Sequence, residues 1–209
     1  MITRLATNPH AFVERQSKYP GIRTQSLIAF LVGVAFGLQH IGLTTVLGSE
    51  LEHVSGPIWV LTVVDLVVPF VLWGVVTVLI YYTARLVGGY FQIGLLFRMV
   101  GWGFAPLIAS GFLVSLARLY ALQGAAPPEE PSFSAFEYEY AAYQSYVDAA
   151  TNEPVFLGAT AVAAGFALLS GYIWAIVIEH LSGLSFTRAL AVSALPVALC
   201  LVWIGWQLV

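Results

Sequence analysis

The sequence predicts an all-α, polytopic membrane protein with five transmembrane helices, N-terminus inside and C-terminus outside, plus an amphipathic helix on the outer surface. Three observations carry this. Only 9% of the 209 residues are charged and 59% are hydrophobic, whereas soluble domains carry about 25% charged residues. The few charges are clustered, leaving apolar runs long enough to cross a bilayer, which takes about 20 residues in a helix. The basic residues, finally, fall mostly on alternate connections between those runs, as the positive-inside rule requires.

Residues 1–22 form a short N-terminal segment and 23–209 the membrane domain. The segment contains Arg4, Glu14, Arg15 and Lys18, with no apolar core ahead of them, so it does not read as a cleavable signal. Asn8-Pro9 fits the start of a short helix at headgroup depth, with Asn8 as cap and Pro9 in the first helical position. The pattern is equally compatible with irregular chain. The first span, about 24–48, lies between Arg23 and Glu50 and carries Gly33-x-x-x-Gly37, a spacing that lets helices approach closely in lipid.

The second span, about 58–84, contains Asp65 and Pro69. Arg85 and Arg98 then bracket an uncharged stretch with a Gly88-Gly89 turn, and their side chains are expected to snorkel to one membrane surface. The third span, about 93–118, has Pro106 near its middle. A polar segment, 119–154, precedes the fourth span at 155–179, and Arg188 opens the fifth at 187–208. Within the polar segment, Phe133, Phe136, Tyr140, Tyr143 and Val147 recur at helical spacing. That stripe predicts an amphipathic helix on the outer leaflet, as an interfacial cover or as a binding lid.

Orientation follows from the basic residues. Arg4, Arg15, Lys18 and Arg23 precede the first span, Arg85 and Arg98 join the second to the third, and Arg188 joins the fourth to the fifth. The remaining connections hold Arg118 alone. These three groups therefore face the cytosol, and the expected location is the cell membrane. Spans two–three and four–five also look alike, since Arg98 precedes Pro106, and Arg188 precedes Pro196, by the same interval. This suggests two similar hairpins. Helix breaks are expected at Pro69, Pro106 and Pro196.

Few residues suggest chemistry. Asp65 is the only acid well inside a span, and intramembrane acids are functional candidates by default. His40 lies at similar depth in the first span, so the two could meet as a polar pair. A structural hydrogen bond is the simpler role, and a proton-linked transport site the sharper one. Cys200 is the single cysteine, which excludes an internal disulfide or a thiolate zinc cluster. No catalytic set, metal motif, phosphate loop or cofactor box is visible, so the expectation is a non-enzyme without metal or cofactor. No basic patch supports nucleic acid. The expected partners are the lipid bilayer and other membrane or cytosolic proteins, or a second copy of the chain.

Several short motifs resemble the Yip1-domain family of multi-pass membrane proteins, in its prokaryotic branch. They are Asn8-Pro9-His10-Ala11-Phe12 ahead of the first span, and Ala84-Arg85-Leu86 with Gly88-Gly89, followed by Phe91, Arg98, Gly101 and Ala105-Pro106. Gly171-Tyr172 is similar to the family's Gly-Tyr motif. Asp65-Leu66-Val67-Val68-Pro69 resembles its D-L-Y-G-P motif at three of five positions; the missing Tyr and Gly put any role of that motif in doubt. The resemblance implies a five-span fold with a cytosolic N-terminus. Eukaryotic members are linked to small GTPases and vesicle formation; no agreed activity carries over from prokaryotic members. The leading expectation is a membrane-organising or partner-binding module whose contacts are Arg85, Arg98, Arg188 and the Gly88-Gly89 turn. Gly33, Gly37 and Gly171 are the expected helix-packing positions. A small transporter using His40 and Asp65, or an accessory subunit of a larger complex, are the competing readings.

Overall fold

In the lipid interior a backbone N–H or C=O has no water to bond, so helices are the only open route across for a chain of this kind. The computed structural model describes residues 7–18, 21–47, 55–123, 148 and 151–206, and these are helical apart from short turns. The helices are α1 (Pro9–Lys18), α2 (Arg23–Leu47), α3 (Ser55–Leu86), α4 (Ile93–Val100), α5 (Ala105–Leu122), α6 (Pro154–Ser182) and α7 (Phe186–Trp206), with a 3-10 turn, Gly101–Phe104, between α4 and α5. Five helical stretches are long and apolar enough to cross a membrane: Arg23–Gly42, Ile58–Leu86, Ile93–Leu122, Pro154–Ser182 and Phe186–Trp206. The connection between the first two spans, 48–54, and the expected outer helix at 133–147 lie outside the described residues.

The helices pack in the order α3–α2–α5–α6–α7, and α7 touches α3 to close the ring. Small residues set the close contacts. A Cβ at Gly33 would stand 2.8 Å from the Asp65 carbonyl oxygen and from Leu66 Cα, so the α2 and α3 backbones touch there. Gly37 faces Thr62 at an ordinary 3.6 Å. Gly171 leaves the space on α6 that the Val197 side chain of α7 fills. Across the middle, the Phe36 and Trp203 rings meet at 4.3 Å between centres.

Pro69 and Pro196 depart from the expectation, whereas the third span is interrupted just before Pro106. α3 runs unbroken through Pro69 and α7 through Pro196. The interruption comes instead at the 3-10 turn, and Pro106 sits in the first turn of α5, where a missing N–H costs nothing. Pro69 does free the carbonyl four residues earlier, that of Asp65, and this is the oxygen against which Gly33 is packed. Neighbouring backbone thus covers the gap and the helix continues. Pro106 starting a helix and Pro196 lying inside one make the two hairpins unequal, so the repeat seen in the spacing does not extend to structure.

The 3-10 interruption breaks the α-helical hydrogen-bond ladder at the end of α4, and carbonyls there take further donors. Two indoles supply them. Trp73 Nε1 donates to Phe97 O at 2.6 Å while its ring stacks on Phe97, and Trp174 Nε1 donates to Val100 O at 2.9 Å. Gly103 makes room for the Trp174 ring, since any side chain there would collide with it. The short helix α1, which at ten residues is too short to hold itself together in water, docks at this end of the bundle. Phe12 is buried edge-on against Trp102, with ring centres 4.8 Å apart. Asn8 caps the helix by accepting from Ala11 N, and Ser17 Oγ and His180 Nε2 lie 3.0 Å apart.

Candidate functional site

Two groups of side chains stand out, one buried near one end of the bundle and one exposed at the other. The buried group begins with the α2–α3 contact at Gly33. Because the backbones touch there, the Asp65 side chain reaches back across to α2, where Gln39 and His40 lie side by side about two turns beyond Gly33. His40 Nε2 lies 3.0 Å from Asp65 Oδ2, and Gln39 Nε2 donates to the same oxygen at 3.3 Å. His40 and Asp65 are each 6% exposed and Gln39 is fully buried. With the Nε2–H tautomer the imidazole donates to the carboxylate, so one oxygen of Asp65 takes donors from two residues of α2.

A third helix adds a charge at the same level. Ser115 of α5 donates from Oγ to Ala35 O at 2.6 Å, and Gly42 of α2 opens the space taken by the Leu119 side chain. Between those two contacts along α5, Arg118 stands at about the level of Gln39 and His40 on α2. It is 2% exposed, and its guanidinium carbon stands 4.9 Å from the Phe156 ring centre on α6. Gln39, His40, Asp65 and Arg118 therefore form one polar layer. Sequence reading found two of the four. It treated Arg118 as the flank of an outer loop, yet the apolar Leu119-Tyr120-Ala121-Leu122 that follows extends α5 a further turn past it. Gln39, uncharged and next to His40, gave no signal beyond its polarity in an apolar run.

The exposed group lies at the other end. Arg85 closes α3, and its guanidinium carbon is 5.0 Å from the Tyr81 ring centre and 5.4 Å from that of Tyr90. Gly88 turns the chain with φ of 88°, a left-handed conformation that favours glycine. Gly89 is buried against Leu184, which joins this turn to the one between α6 and α7. Arg98 on α4 and Arg188 in the first turn of α7 are exposed at the same end. So are Arg15 and Lys18 of α1 and Arg23 of α2. Among the described residues, every exposed Lys or Arg is found here, and Arg118 near the opposite end is buried.

The chemistry available is that of binding and positioning. Among the described residues no three of His, Cys, Asp and Glu come together in a way that could hold a metal ion. The polar layer holds a hydrogen-bonded imidazole and carboxylate, which can exchange a proton. The basic end offers planar cations and aromatic faces.

The family model described as the Yip1 domain matches residues 3–207, nearly the whole chain. No curated protein and no solved structure matches it.

Proposed function

The chain belongs to the Yip1 domain family, an integral membrane protein of that type, and from this premise we propose that it is a non-enzymatic partner-binding or membrane-organising module of the cell membrane. Its basic end faces the cytosol and carries the contact surface. The observation behind this reading is the segregation of exposed cations: Arg15, Lys18, Arg23, Arg85, Arg98 and Arg188 share one end, while Arg118 at the other is buried. Such asymmetry is what retention of Lys and Arg on the cytosolic side produces. On that face, Arg85, Arg98 and Arg188 with the Gly88-Gly89 turn provide charge on a shape fixed by the packing of Gly89 on Leu184.

Two measurements test it. In a Cys200→Ala background, a cysteine placed at Val87, which is exposed beside the turn, should be labelled from the cytosol and one at Gln123 from the opposite side. Arg85→Glu, Arg98→Glu and Arg188→Glu together should abolish recovery of cross-linked protein partners while the bundle remains folded. Labelling of both cysteines from one side, or unchanged partner recovery, refutes the proposal.

The buried His40–Asp65 pair favours a second reading, a small proton-linked transporter. Proteoliposomes would then show pH-dependent flux that Asp65→Asn removes. If the pair serves only as a hydrogen bond, Asp65→Asn leaves folding nearly intact and there is no flux to lose.

A further inference from the structure

At the cytosolic end proposed for α3, the Arg85 guanidinium is held by two rings that reach it by different routes. Tyr81 stands one turn before it on the same helix, so helical spacing alone brings the pair together. Tyr90 is five residues further on and returns only because the chain reverses at Gly88 and Gly89. A Cβ at Gly89 would stand 3.0 Å from Leu184 Cδ1 and 3.1 Å from Ala84 O, so a side chain there would loosen the turn that returns Tyr90. No carboxylate among the described residues lies within salt-bridge distance of Arg85. Both ring centres lie within cation–π range of the guanidinium carbon, and such contacts leave guanidinium N–H groups able to donate to an acceptor. Arginine's planar fork matches the oxygens of a phosphate.

The surroundings select the kind of phosphate. Leu86 is 86% exposed and Tyr90 76% exposed, and Ile93 beside them is also exposed. A soluble anion would leave this apolar collar bare. A phospholipid covers both the cation and the collar. We propose that Arg85, Tyr81 and Tyr90 form a binding site for an anionic phospholipid, whose phosphate diester accepts from the guanidinium edge while its acyl chains lie over Leu86 and Ile93. The site rests on the basic end lying at a bilayer surface, and it shares Arg85 with the contact surface proposed above, but it needs no protein partner.

Native mass spectrometry of the detergent-purified full chain tests this, with phosphatidylglycerol and phosphatidylcholine of matched acyl chains as probes; the two share the phosphate diester, but the fixed cation of choline opposes Arg85 and offsets the phosphate charge. The wild-type protein should retain phosphatidylglycerol in preference. Arg85→Gln should lower that preference about tenfold, the scale of one charge-assisted hydrogen bond. Tyr90→Leu, which keeps the charge and the apolar surface, should lower it by a smaller factor. Arg23→Gln removes an exposed cation from the same end and should leave it unchanged. Equal retention of the two lipids, an equal loss in Arg23→Gln, or displacement of the lipid by inorganic phosphate at comparable concentration would each overturn the site. Partner cross-linking in Arg85→Gln separates the two proposals: lost lipid preference with intact partner recovery supports the lipid site alone, and the reverse result supports the contact surface alone.

Discussion

Gly33→Ala and Gly37→Ala form a matched pair whose outcomes should diverge. Both replace a glycine in α2 by alanine, which by intrinsic helix propensity gains about 0.5–1 kcal/mol. They differ in what the new methyl meets. At Gly37 the nearest atoms are at 3.6 Å, ordinary contact, so the substitution should be neutral or slightly stabilising. At Gly33 the methyl would stand 2.8 Å from two backbone atoms of α3, and neither can rotate away. The helices must separate locally by several tenths of an ångström, and overpacking of this kind costs about 1–3 kcal/mol. Net of the propensity gain, Gly33→Ala should lose about 0–2.5 kcal/mol, and should stand about 1–3 kcal/mol below Gly37→Ala. Thermal unfolding in detergent, followed by tryptophan fluorescence, reads the difference. The same separation stretches the 3.0 Å His40–Asp65 bond, so the variant should also perturb the His40 ring signals by NMR. Equal midpoints for the two variants would refute the argument that α2 and α3 meet backbone to backbone at Gly33.

Three further outcomes follow from single contacts. Trp174→Phe removes the donor to Val100 O and part of a fully buried indole; the lost hydrogen bond alone should cost about 0.5–1.5 kcal/mol, with the cavity adding to it, in the same unfolding assay. In a double-mutant cycle, Arg118→Met and Phe156→Leu should show a coupling of about 1–2 kcal/mol, the size of a desolvated cation–π contact; additive effects would exclude the contact. Phe12→Ala should undock α1 from Trp102, and hydrogen exchange at residues 9–18 should then rise steeply, because the undocked helix is too short to persist. Protection unchanged in that variant would mean that something other than Phe12 holds α1.

Much of the fold was readable because lipid imposes simple demands. Charges that cannot enter the bilayer mark where spans end, and the approximate bounds at Arg23, Arg85, Glu153 and Arg188 fall within a few residues of the helix ends. Packing glycines were also readable, since close approach needs small residues; yet spacing alone could not separate Gly33, which meets backbone, from Gly37, which does not. What failed were inferences that depend on neighbours. A proline is a break only if nothing compensates the carbonyl it frees, and at Pro69 the adjoining α2 lies against that carbonyl. A flanking arginine is a surface residue only if its helix stops there, and α5 continues for a turn beyond Arg118.

The same dependence explains why the interruption in the third span falls where it does. A helix can open its ladder inside a membrane only where donors from elsewhere reach the released carbonyls. Trp73 and Trp174, from α3 and α6, converge on Phe97 and Val100, so the chain can tighten into a 3-10 turn immediately after them. Gly101 and Gly103 are then needed less for flexibility than for space, because a Cβ at one would strike the Gln25 side chain and at the other the Trp174 ring. This turn carries Trp102, against which Phe12 docks, so the bonds that make the break tolerable also fix the platform for α1. Arg98, one residue beyond Phe97, inherits its position from the same arrangement. The contact surface proposed at the basic end is therefore anchored by two indole N–H groups inside the bundle, and loss of either should move the exposed face as well as destabilise the core.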